Sequence, residues 1–211
     1  MKVVAINGSS KVNGNTALAI QTVGEGLATQ GIDLARLDIG SEKLHGCVGC
    51  GACRNLKNRR CRLDDDMANT WMQELFSADG IILASPVYYA GINGALKSFL
   101  DRAFFVAASN GALFRHKVGV GVVAVRRAGA LTAIGQLNCY LTISEMYLPA
   151  SNYWNMIYGL MPGEAEKDVE GRQTLKVLGE NMGWLMRVIE HGRTTLPPPA
   201  PQEKVMLNFI R

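Results

Sequence analysis

No stretch of this 211-residue sequence reaches 18 consecutive apolar residues, which excludes a membrane-spanning helix. The opening segment holds one lysine and an apolar run only from Val3 to Ile6 before the turn residues Gly8, Ser9 and Ser10. A secretory signal needs a longer apolar region and a cleavage site, so the expected location is cytoplasmic. Charge of one sign is scarce too: 22 Lys and Arg against 18 Asp and Glu leave a net +4. The densest basic run, Arg54 to Arg62, lies among cysteines and meets Asp64-Asp65-Asp66. That mixture describes a solvated loop and argues against a nucleic-acid partner. Internal repeats are missing, and the single biased segment is the proline-rich stretch that starts at Leu196. What is present is core: 48% of residues are hydrophobic and 19% charged, enough for one sizeable α/β domain and short for two. Five cysteines in a reducing compartment read as thiols or metal ligands rather than disulfides.

Short apolar runs alternate with helical patterns along the chain. Strands are expected at Lys2 to Asn7, Ile32 to Asp38, Gly80 to Ala84, Lys117 to Val125 and, briefly, Met146 to Leu148. Helices are expected at Thr16 to Gln30, Met67 to Ser77, Asn93 to Phe105 and Leu131 to Ser144, with a long final helix within 163–190. Such alternation predicts a doubly wound α/β fold with right-handed crossovers. The five-strand count suits the flavodoxin-like order 2-1-3-4-5, a parallel sheet that binds FMN at its switch point. One domain is expected over 1–195, with a cysteine-rich loop inserted at 40–66 and an extended tail at 196–211. The turns after the first, third and fourth strands then open at the same sheet edge.

The first of these turns is Gly8-Ser9-Ser10-Lys11-Val12-Asn13-Gly14-Asn15-Thr16. A phosphate dianion needs several donors and little Cβ crowding. Ser9, Ser10, Asn15 and Thr16 supply polar groups, Lys11 a cation, Gly14 space, and the following helix the positive end of its dipole. The sequence is neither a Walker loop nor a GxGxxG turn. The plainer alternative is a polar turn capped by Asn15 or Thr16.

The third strand runs into Ser85-Pro86-Val87-Tyr88-Tyr89-Ala90-Gly91-Ile92-Asn93-Gly94. Pro86 and Gly91 shape a turn whose backbone N–H groups can face the edge of a flavin, while Val87, Tyr88 and Tyr89 offer surface for its ring. Alternatively, the tyrosines cover the sheet end. After the fourth strand, Arg126, Arg127 and Gly129 form a third loop suited to an anionic substrate, the phosphates of NAD(P)H or a neighbouring subunit, or else to solvent.

Cys47, Cys50, Cys53 and Cys61 follow the spacing C-x2-C-x2-C-x7-C, with Gly46, Gly49 and Gly51 between and before them. Four thiolates are the usual ligands of a [4Fe–4S] cluster. Zinc and free redox-active thiols are the alternatives. Cys139, in an apolar helical stretch, reads as core. His45 reads as a surface-loop histidine that could also serve a cluster or a proton.

The segment N-G-S-S-K-x-x-G-N-T resembles the FMN-phosphate motif G-S-x-R/K-x-x-G-N-T of the NADPH-dependent FMN reductase family, with Lys11 where arginine is common. S-P-V-Y-Y-x-G-x-N-G-x-L-K-x-F-x-D-R resembles the second FMN-contacting motif of that family. The cysteine spacing, the R-R-A-G stretch at 126–129, Tyr153-Trp154-Asn155 and Asp168-Val169-Glu170-Gly171 are similar to the iron-sulfur flavoproteins. The resemblance implies FMN and a [4Fe–4S] cluster as cofactors, with NAD(P)H or a ferredoxin as donor and a quinone or other small molecule as acceptor. It implies a homodimer or homotetramer, in which Tyr153 and Trp154 act as a lid or intersubunit wall; an aromatic anchor for their loop is the alternative. No side chain is expected to act as acid or base, since a flavin carries the chemistry. Rival readings are a clusterless NAD(P)H:FMN or quinone reductase, a non-enzymatic electron carrier of flavodoxin type, and a zinc-stabilised binding module.

Overall fold

The computed structural model describes residues 1–207 and 209. Five parallel strands stand in the order β2-β1-β3-β4-β5: β1 Lys2–Asn7, β2 Asp33–Asp38, β3 Gly80–Pro86, β4 Val118–Val125 and β5 Met156–Tyr158. Among the described residues six helices connect and cover them: α1 Asn15–Ala28, α2 Ala52–Leu56, α3 Ala68–Ser77, α4 Gly94–Ser109, α5 Ala130–Ile143 and α6 Val169–Gly192. A short 3-10 turn, Glu164–Lys167, precedes α6. No helix among the described residues is long and apolar enough to cross a membrane. Beyond residue 196 the described tail has no helix or strand, and Arg115 Nη2 donates to Pro199 O at 3.0 Å. The remainder of the expected extended tail, residues 208, 210 and 211, lies outside the described residues.

Period-two alternation builds the two cores. In β1, Val4 and Ile6 face one layer while Val3 and Ala5 face the other; in β3, Ile81 and Leu83 oppose Ile82 and Ala84. The first layer packs under α3, α4 and α5, and the second under α1 and α6. Strands buried on both faces read as continuous apolar runs, which is why β1, β3 and β4 were visible in the sequence. β2 is an edge strand and only half-buried, as its alternating sequence predicts.

The fifth strand corrects the sequence-based expectation. Met146 to Leu148 makes a single parallel bridge, Val118 to Tyr147, at the amino half of β4. Pro149 follows and has no N–H to continue a ladder. The chain rejoins β4 farther along, where Met156, Ile157 and Tyr158 pair with Val123, Ala124 and Val125. The Asn155 amide bridges the interruption by donating to Gly121 O at 3.2 Å. A two-piece edge strand therefore runs past the sheet, and only its second piece reaches the carboxyl edge. The 40–66 segment likewise carries one short helix, α2, where only loop was expected.

Candidate functional site

Parallel pairing puts the ends of β1, β3 and β4 side by side: Asn7 stands opposite Ala84, and Pro86 opposite Ala124. The loops that follow are tied together directly. Gly8 N donates to Ala84 O at 2.8 Å, and the Ser10 and Tyr88 hydroxyls share a hydrogen bond of 3.0 Å. Between these loops lies a cavity of about 240 Å³. Ser9, Lys11, Gly14, Asn15 and Thr16 border it from the first loop, Pro86, Val87 and Tyr88 from the second, and Arg126 from the third. Gly159, Leu160 and Pro162 close its far side. That wall follows β5, so placing the fifth strand at 146–148 concealed it.

The first loop is shaped from within. Asn7 is fully buried; its Oδ1 accepts from Ser9 N, and its Nδ2 donates to Asp38 Oδ1 at 2.7 Å and to Val12 O at 3.3 Å. Ser9 Oγ accepts from Lys11 N at 3.1 Å. The N-cap of α1 is Gly14, which supplies no side-chain acceptor, so the first amides of that helix keep donors free at the cavity. α4 differs: the side-chain Oδ1 of Asn93 accepts from Ala95 N and Leu96 N. The Asn15 amide is already committed, donating to Met161 O at 3.0 Å and accepting from Ala165 N at 3.4 Å. It fastens the far wall to α1 rather than presenting free donors. A Cβ on Gly159 would sit 2.6 Å from Asn15 Nδ2, so this contact needs glycine. The free helix amides, Lys11 and the hydroxyls of Ser9 and Thr16 form a donor set that fits a phosphate ester.

The second loop spends most of its donors internally. Val87 N donates to Ala124 O, Tyr88 and Gly91 bond each other's backbone, Ile92 N donates to Gln136 Oε1, and Asn93 N donates to Ser85 Oγ. Tyr89 N and Ala90 N have no acceptor among the described residues. Tyr89 adopts φ 53° at the tip and is fully exposed, whereas Tyr88 is about half-exposed at the cavity. Gly91 packs against Gln136 rather than lining the cavity. Of the arginine pair, Arg126 borders the cavity; Arg127 is exposed and does not. Gly129, at φ 92°, is the N-cap of α5 and packs near Val87. Tyr153 and Trp154 pack on each other at 4.7 Å and border two separate grooves beside β5, not this cavity.

The cysteine segment lies along α4. Cys53 is buried in α2, Cys61 is partly buried, and Cys47 and Cys50 are exposed. All four border one small cavity of about 20 Å³, together with Arg102. Their thiols are not gathered to ligating distance: among the described residues no group of three or more His, Cys, Asp or Glu is. Gly49 and Gly51 adopt φ 67° and 71°, which lets the chain wind around the cavity. Asn69 holds Cys61 by its backbone, accepting from its N–H at 2.8 Å and donating to its carbonyl at 3.0 Å. Arg102 pairs with Asp66 and donates to His45 O and Leu63 O. Burial works against its charge, but Asp66 and the Cys61 thiol outweigh that and hold the guanidinium pKa above its ordinary value. His45 is exposed and touches the site only through its carbonyl. Cys139 corrects another expectation: it is exposed on α5, not core.

A cavity of about 280 Å³ at the opposite, amino edge of the sheet is lined by Asp79, Arg115 and Lys117 and holds none of the expected site residues. There the Lys117 ammonium caps α3, donating to Phe76 O at 2.7 Å and Ala78 O at 2.6 Å.

Residues 1–159 match the family of NADPH-dependent FMN reductases. An iron-sulfur flavoprotein of Methanocaldococcus jannaschii is 32% identical over 197 residues, covering 90% of this chain and 100% of the relative. An iron-sulfur flavoprotein of Methanosarcina thermophila is 29% identical over 195 residues, covering 92% and 99%. Among solved structures, RosB with the bound intermediate 8-demethyl-8-formylriboflavin-5'-phosphate matches with a TM-score of 0.68 at 14% identity, over 100% of this chain and 94% of RosB. A flavodoxin from the domain Archaea matches with a TM-score of 0.58 at 16% identity, over 89% and 99%. At those identities the structural likeness shows the flavodoxin-like fold alone. The match of the family over three quarters of the sequence, together with the relatives that span nearly all of it, establishes that this chain belongs to the NADPH-dependent FMN reductase family.

Proposed function

We propose that this flavin oxidoreductase binds FMN in the cavity at the carboxyl edge and moves electrons between NAD(P)H or a ferredoxin and a quinone or other small acceptor. The observation that carries this reading is the meeting of the 8–16 and 85–94 loops across one cavity, pinned by the Ser10–Tyr88 hydrogen bond. FMN, when bound, supplies both hydride and one-electron chemistry. The protein's own residues bind and orient. The free α1 amides, Lys11, Ser9 and Thr16 take the phosphate; Pro86, Val87 and Tyr88 face the ring; Tyr89 N and Ala90 N are the loop donors left for its edge. Arg126 takes an anionic group of the incoming donor or acceptor.

Cys47, Cys50, Cys53 and Cys61 would hold a [4Fe–4S] cluster, a one-electron partner for the flavin. Four thiols on one cavity beside a buried cation match that group's donor set. The iron-sulfur flavoprotein names of the relatives support the same reading. A clusterless reductase is the second reading, and the ungathered thiols favour it. The cytoplasmic location, the 1–195 domain and the homodimeric or homotetrameric state belong to the same proposal.

Anaerobic purification followed by an absorbance spectrum and iron and sulfide assays tests it. Flavin bands with a broad shoulder bleached by dithionite, and iron in the preparation, are the expected result. Flavin bands without iron select the clusterless reductase. A colourless protein that takes up no added FMN refutes the cavity assignment.

A further inference from the structure

We infer that Arg102 is the positioning residue of the cysteine site: its buried guanidinium closes the segment that carries the four cysteines and sets the potential of the cluster they hold. This rests on the cluster reading proposed above. Arg102 sits on α4 and is 1% exposed. Its Nη1 donates to His45 O at 3.2 Å, its Nη2 to Leu63 O at 2.5 Å, and the group pairs with Asp66. Those partners bracket the sequence from Cys47 to Cys61. One planar fork therefore ties both ends of the cysteine segment to a helix, which the single ammonium of a lysine cannot match.

The Nε donor of the guanidinium is the informative one. Arg102 Nε is a buried side-chain atom with no hydrogen-bond partner, and the only such atom among the described residues. A buried donor on a permanent cation is costly to leave unpaired. Arg102 borders the same small cavity as Cys47, Cys50, Cys53 and Cys61. A cluster held by four thiolates carries net negative charge, and one-electron reduction adds to it. Hydrogen bonds and charge at the sulfurs set cluster potentials. The charges at this cavity are opposed: Arg102 and Arg62 border it, and Asp66 faces Arg102 from the segment's end. A guanidinium here favours the reduced cluster, and Asp66 attenuates that effect.

The two charges give opposite signs, which a merely structural role does not. Wild type, R102Q, R102K and D66N would be reconstituted anaerobically with iron and sulfide. Each is assayed for FMN, iron and sulfide, then titrated with dithionite and followed by electron paramagnetic resonance. R102Q is expected to disfavour reduction at least tenfold, about 59 mV for one electron. D66N is expected to shift the potential upward, and R102K to fall between wild type and R102Q. Loaded R102Q and D66N proteins with the wild-type potential, or shifted in the same direction, overturn the proposal. Where R102Q fails to fold or to take up iron, D66N decides: an upward shift supports the assignment, and no shift or a downward one overturns it. Wild-type protein that takes up FMN but no iron overturns the cluster reading itself, and this assignment with it.

Discussion

Gly40 lies just beyond β2 and is buried against the 8–16 loop. A Cβ at this position would stand 2.2 Å from the Ser9 carbonyl carbon, 2.3 Å from Gly8 O and 2.4 Å from Ser9 O. All three are backbone atoms, so no side chain can swing away. Real Cβ contacts essentially stop at 3.0 Å, so Gly40→Ala must push the two segments apart by about 0.8 Å. Overpacking of this kind costs about 1–3 kcal/mol of stability. The displaced segment carries Ser9 and leads into the free amides of α1. Losing one charge-assisted hydrogen bond there costs about 1.5–3 kcal/mol, or about 10- to 150-fold in FMN affinity. Urea unfolding measures the first effect, and quenching of FMN fluorescence on binding measures the second. Gly135→Ala is the control: this α5 glycine has nothing within 4 Å of an added Cβ, so stability should rise by about 0.5–1 kcal/mol with unchanged FMN affinity. A Gly40→Ala protein with wild-type urea midpoint and wild-type affinity would refute the claim that Gly40 supports the loop.

Asn93→Ala removes the α4 cap and should cost about 0.5–2 kcal/mol in thermal or urea unfolding, whereas Asn93→Asp keeps the acceptor, loses the Nδ2 donor to Gly40 O and should recover only part of it. Lys117→Met leaves the carbonyls of Phe76 and Ala78 without their donor and should cost about 1–3 kcal/mol in urea, with FMN affinity unchanged because this cap is at the opposite sheet edge. The Tyr140 pKa is pushed up to about 12 by burial and then by its hydrogen bond to Asp101. The folded state therefore holds this proton more tightly than the unfolded chain, so the contribution is present below about pH 10 and is lost as pH rises toward 12. Ultraviolet difference titration should show one late-ionising tyrosine, and Tyr140→Phe should flatten the alkaline fall in stability.

Strands buried on both faces were legible because the sheet's interior demands unbroken apolar runs; Val3 to Ile6 and Val118 to Val125 have little other use. The fifth strand was not legible, because Met146 to Leu148 and Met156 to Tyr158 are both short and apolar, and a three-dimensional register decides between them. Loop membership was visible in the serines, Lys11 and the Tyr pair, but not the division of labour among them. Asn15 looks like a ligand donor by type, yet its amide is consumed by the 159–165 wall. Asn7 at the end of a strand carried a signal that went unused: a buried amide there must organise the turn that follows. Gly40 and Gly159 carried none, since their importance is the proximity of distant backbone.

The motif from Ser85 to Arg102 is contiguous in sequence, but the helix divides it between two cavities. Asn93 caps α4 beneath the second loop, holds Gly40 O through its Nδ2 and anchors the turn through Ser85. Arg102 lies nine residues on, about 13 Å along the axis, against the cysteine segment. Between them Leu96, Phe99 and Leu100 are fully buried in the layer under β1 and β3, so the spacing is fixed by core packing. The same helix therefore sets the position of the turn bordering one cavity and of the cation bordering the other. A run of residues that resembles a single binding motif borders two cavities because it is helical, and under the function proposed above substitutions along it should divide accordingly: changes in the first turn should alter FMN affinity, and changes at Arg102 should shift the potential of the cluster.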